Sequence, residues 1–105
     1  MVTHLRDHIT LNDGRWYKGT LYQSEHMLVG IDCLAPGQAQ PAHMHRGHDK
    51  MYYVQSGHGK FVIDSRESLC EAGMVVVAPA DTMHSVTNIG SEPLIMLIAM
   101  APEPK

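Results

Sequence analysis

Turn-forming residues punctuate this chain at short, regular intervals, and that feature limits its fold more than any other. The breaks are Pro36-Gly37, Gly57-His58-Gly59, Asp64-Ser65, Gly73, Pro79-Ala80-Asp81 and Gly90. Between them lie short runs rich in β-branched, aromatic or Met residues: Arg15–Gln23, His26–Leu34, Ala39–His45, Met51–Gln55, Lys60–Ile63, Ser68–Glu71, Met74–Ala78, His84–Asn88 and Leu94–Ala101. Short runs closed by Gly, Pro or Asp at this density predict an antiparallel β-sandwich or barrel. No stretch carries apolar residues at i, i+3, i+4 and i+7 with matching caps, so little or no helix is expected. The run Met74–Ala78 is apolar throughout, which predicts a strand covered on both faces, one of them by a partner subunit.

The chain has 105 residues, enough for one core and too few for two, so residues 1–105 read as a single domain. The formal charge of −3 is mild and the Lys and Arg residues are scattered, which argues against a nucleic-acid or anionic-membrane surface. The longest apolar run, Leu94–Ala101, is too short to span a bilayer. The first residues lack the apolar core of a secretory signal, and Cys33 and Cys70 read as buried free thiols, so a cytoplasmic location is expected.

Eight histidines stand out in the composition, and spacing decides which of them carry chemistry. His43 and His45 lie two apart on an expected strand, where a period of two puts both imidazoles on one face. Their Cα atoms would be about 6.5–7 Å apart, close enough for both rings to reach one ion at about 2.0–2.2 Å. His4, His8 and His26 read as solvent-facing and His58 as a turn residue, while His48 could serve as a further ligand or an outer group.

A wider pattern surrounds the pair. The first motif of the cupin superfamily, G-x5-H-x-H-x(3,4)-E-x6-G, is matched from Gly37 through His43 and His45 to Lys50 and Gly57. The second, G-x5-P-x-G-x2-H-x3-N, is matched from Gly73 through Pro79, Asp81 and His84 to Asn88. The chain therefore resembles a small single-domain cupin, which implies an all-β antiparallel barrel or jelly roll. The resemblance also implies that His43, His45 and His84 hold one divalent transition metal ion (Fe, Zn, Ni, Mn or Cu), and that Asn88 has a structural role. Small cupins resemble homodimers whose N-terminal strands pair across subunits, and Trp16, Tyr17 and Tyr22 could supply that surface.

Two positions depart from the family pattern. Asp81 replaces a glycine, a change that turn geometry tolerates. Lys50 stands where the family places a ligating glutamate, and a protonated lysine cannot ligate a cation. Three arrangements are compatible with this: Lys50 at the barrel mouth beside a three-histidine site, Asp49 as an oxygen ligand or partner of Lys50, or a pocket without metal.

A three-histidine site leaves coordination positions open to substrate, the mark of a catalytic metal. Without a carboxylate ligand the ion keeps its full charge, so an anionic small molecule is the expected ligand, with Lys50 on its far oxygen. The pocket wall is expected from Tyr52, Val54, Phe61, Met44, Met83 and Met96, an apolar set that adapts to shape. The resemblance implies an oxidoreductase of the dioxygenase kind, acting on a small carbonyl or carboxylate compound. The rival reading is a metal-dependent binding or sensing module without turnover.

Overall fold

The computed structural model describes residues 1–103, so the last two residues of the expected domain lie outside the described residues. Among the described residues, nine antiparallel strands follow a short 3-10 turn at Leu5–His8: β1 Tyr17–Gln23, β2 Leu28–Leu34, β3 Ala39–His43, β4 Asp49–Ser56, β5 His58–Ile63, β6 Arg66–Glu71, β7 Val75–Ala78, β8 His84–Asn88 and β9 Leu94–Ala101. They form a five-stranded sheet of order β1-β2-β9-β4-β7 and a four-stranded sheet of order β3-β8-β5-β6. This is an all-β jelly roll, as the turn spacing predicts.

Turn chemistry explains where the chain reverses. Gly57, between β4 and β5, has φ +91°, and a Cβ there would meet Pro93 O at 2.5 Å. Only glycine suits that backbone conformation and that approach. Asp81 takes φ +66° in the turn before β8, a region that Asp tolerates better than most residues. His58 is the first residue of β5, paired with Glu71, and not a turn residue.

The core lies between the two sheets. Alternating inward residues supply it, with Leu34, Tyr52, Phe61, Val86, Met96 and Ile98 almost fully buried. The Tyr52 and Phe61 rings meet edge to face at a centroid distance of 5.1 Å. A second cluster of Ile31, Cys33 and Ile95 forms on the outer side of β2 and β9, where Leu5, Tyr17 and Leu21 cover it. Tyr17 is therefore engaged within its own chain, while Tyr22 stays exposed. Within the chain β7 is covered on one side only: Ala78 is buried, but Val75 and Val77 are 58% and 54% exposed.

Candidate metal centre

Two elements of the four-stranded sheet bring the histidines together. Strand β3 pairs with β8 so that His43 stands opposite His84. His45 follows the end of β3, so the strand period does not place it. Its carbonyl accepts a hydrogen bond from Asp81 N–H at 3.0 Å, while the Asp81 carboxylate accepts from Gly47 N–H at 3.1 Å. The turn before β8 thus holds the loop after β3. The three rings lie 4.2–5.4 Å apart between centroids.

Hydrogen bonding fixes which nitrogen two of the three rings offer. The Nδ1 of His43 lies 2.9 Å from Pro41 O, and the Nδ1 of His84 lies 3.0 Å from Thr82 O. A carbonyl oxygen only accepts, so each Nδ1 carries the proton and each Nε2 keeps a free lone pair. Backbone carbonyls orient metal-binding histidines in this way. The Nε2 atoms of His45 and His84 are buried without a hydrogen-bond partner among the described residues. Buried polar atoms are seldom left unpaired, so two at one point indicate a missing partner. One donor atom from each of the three residues lies within 4.8 Å of the others, and the donor set fits a single transition metal ion.

The electrostatics agree. Burial, aided by the neighbouring His43 and Lys50, pushes the His45 pKa down to about 4, and burial also lowers that of His84. Both rings are held neutral at neutral pH, the state that ligates.

Of the other expected site residues, Lys50 borders the histidine cavity and the Tyr52 ring lies 6.2 Å from that of His84, while the rest stand apart. Lys50 does not swing to the mouth: its side chain is 5% exposed, with Nζ 3.7 Å from Asp32 Oδ2 and 4.5 Å from the Tyr52 ring centroid. Asp49 does not join the histidines, because its carboxylate accepts from Ala80 N–H at 2.8 Å. His48 also stands apart, with Nδ1 2.8 Å from Pro102 O. Tyr52, Val54, Phe61 and Met96 belong to the core, and Met44 and Met83 are 42% and 45% exposed. The cavity beside the histidines, of about 220 Å³, is instead lined by Trp16, Lys18, Gln40, Pro41, His43, His45 and Lys50.

Sequence reasoning missed the polar group beneath that cavity. Gln40 Nε2 donates to Asp32 Oδ2 at 2.6 Å, and Tyr52 OH donates to Gln40 Oε1 at 3.3 Å. Burial raises the Asp32 pKa against the pull of Lys50, and lowers that of Lys50 against the pull of Asp32. A signal was present: β2 alternates Leu28, Gly30, Asp32 and Leu34 inward, which sets a carboxylate in the core. Asn88 is structural, its side-chain amide donating to Leu34 O and Glu92 O at 2.9 Å each.

Comparison with known proteins places this geometry. The family model described as "Cupin domain" matches residues 30–100. A curated protein of Methanocaldococcus jannaschii, MJ1618, is 27% identical over 86 residues, which is 82% of this chain and 65% of that protein's length. The solved structure of TT1209 from Thermus thermophilus superposes with a TM-score of 0.93 at 36% identity, covering 98% of both chains. A Klebsiella pneumoniae protein with a double-stranded β-helix domain superposes with a TM-score of 0.92 over 97% of this chain and 90% of its own. At 20% identity it speaks to the fold alone. With both histidine motifs inside the matched segment, the chain belongs to the cupin domain family.

Proposed function

We propose that the protein is a mononuclear three-histidine metalloenzyme of the dioxygenase kind, acting on a small carbonyl or carboxylate compound. One observation carries this reading: three imidazoles converge beside a cavity, two held by backbone carbonyls and two with buried, unpartnered Nε2 atoms. No carboxylate joins them, so coordination positions stay open to substrate. A bound iron ion would supply Lewis acidity and oxygen chemistry there. The chain's own residues bind and orient the substrate, with Trp16 and Pro41 as apolar wall and Gln40, Lys18 and Lys50 as polar contacts.

The test is oxygen consumption by iron(II)-loaded protein offered a panel of diketones and 2-oxo acids. Turnover that disappears in His84→Ala supports the enzyme. Saturable binding of these compounds without oxygen uptake would replace it with the binding or sensing module.

The same reading makes the protein a cytoplasmic homodimer. Buried free thiols at Cys33 and Cys70 suit a reducing compartment. A groove of about 850 Å³ runs between the edge strands β6 and β7, lined by exposed Leu69, Met74, Val75 and Val77 together with Asp64 and Arg66. An apolar groove carrying one charge of each sign is self-complementary, so a second copy can cover it across a two-fold axis.

A further inference from the structure

The cavity beside the histidines has an unusual charge content for a barrel interior. Two of its lining side chains, Lys18 and Lys50, are ammonium groups, and none is a carboxylate. Lys50 occupies the position where the family pattern has a glutamate, so the site exchanges a metal ligand for a buried cation. Burying an ammonium is costly unless it is paired, and the pairing here is specific. Asp32, fully buried on β2, faces Lys50 Nζ at 3.7 Å. Gln40 donates to the same oxygen, Oδ2, and the Tyr52 hydroxyl donates to Gln40, while Asp32 Oδ1 is buried without a partner among the described residues.

This arrangement holds the ammonium by one long contact. A lysine offers three N–H donors, and 3.7 Å exceeds hydrogen-bond range. The long approach to Asp32 engages one of the three at most, and Lys50 lines the cavity. With a divalent ion on the histidines, the local cations outnumber Asp32 by more than a single carboxylate would cancel. The cavity, at about 220 Å³, lies below the usual range of about 300–1,000 Å³ for drug-sized ligands.

Resting on the three-histidine reading, we propose that this cavity takes a small dicarboxylate. One carboxylate binds the ion held by His43, His45 and His84, and the other binds the Lys50 ammonium, with Lys18 adding charge at the rim. Asp32 and Gln40 are positioning residues, acting through Lys50. Lys50 thereby sets specificity for a second anionic group without ligating the metal.

The test uses cobalt(II)-loaded protein, whose visible absorption reports carboxylate binding at the metal. Succinate and malonate are titrated against propionate and acetate, in the wild type and in Lys50→Met. Because Lys50→Met leaves Asp32 unpaired in the core, the double variant Asp32→Asn/Lys50→Met is titrated as well, with melting curves to verify folding. The wild type is expected to bind the dicarboxylates at least tenfold more tightly than the monocarboxylates. A folded variant without Lys50 is expected to lose most of that preference, its affinity for the dicarboxylates falling to within about twofold of its affinity for the monocarboxylates. Equal affinity for both acid classes in the wild type overturns the proposal, as does an unchanged preference in the double variant, which would reflect chelation by the ion alone. Absence of cobalt absorption would instead remove the three-histidine reading, and this inference with it.

Discussion

The Nε2 lone pairs of His43 and His84 are left free because backbone carbonyls two residues upstream hold their Nδ1 protons. His45 lacks such a bond and owes its neutrality to burial beside other basic groups, which push its pKa down to about 4. A pKa below the unfolded value of about 6.5 means that the unfolded chain binds the extra proton first. The stability this site contributes to the metal-free protein is therefore complete above about pH 6.5 and declines as pH falls toward 4. Urea unfolding is expected to show a lower midpoint at pH 5 than at pH 7, with a smaller difference in His45→Gln. A midpoint independent of pH would contradict it. The three-histidine cluster is legible in the sequence because motif spacing carries it. Asp32 and Gln40 are not, because they converge from β2 and β3 through a side-chain contact that no local spacing encodes. Lys50 was recognised as anomalous, but its place depended on Asp32, a partner not yet identified.

At the scale of elements, the site depends on two turns more than on strand regularity. Turn residues located all nine strands to within a few positions, since a break in the chain is a local signal. The end of β3 was less legible. An apolar-polar alternation continues to His45, whereas the pairing with β8 stops at His43. What holds His45 is the Asp81 turn, through one backbone and one side-chain hydrogen bond. Asp81→Ala removes the carboxylate and leaves a less tolerant residue at φ +66°. It is expected to cost about 1–3 kcal/mol of stability and to weaken metal binding through His45. Asp81→Asn keeps both the turn tolerance and an acceptor oxygen and should behave nearly as wild type. Calorimetry of metal binding with parallel melting curves checks both, and unchanged affinity in Asp81→Ala would mean that the loop holds itself.

For the whole molecule, the two sheets close around one core, yet two edge strands, β6 and β7, border an apolar groove. The even hydrophobicity of Met74–Ala78 hinted at a covered outer face, but sequence cannot say whether the cover comes from the same chain. Among the described residues, Val75 and Val77 are left more than half exposed. Light scattering at micromolar concentration is expected to give a dimer, and Val75→Lys/Val77→Lys a folded monomer. A wild-type monomer would rule the dimer out. The central claim, a three-histidine metal site within this barrel, is tested most directly by elemental analysis of protein purified without chelator. Close to one transition metal ion per chain is expected, reduced to background in His84→Ala of unchanged fold. A wild-type protein that holds no metal, and takes none up on reconstitution with iron, zinc, nickel, manganese or copper, would contradict it.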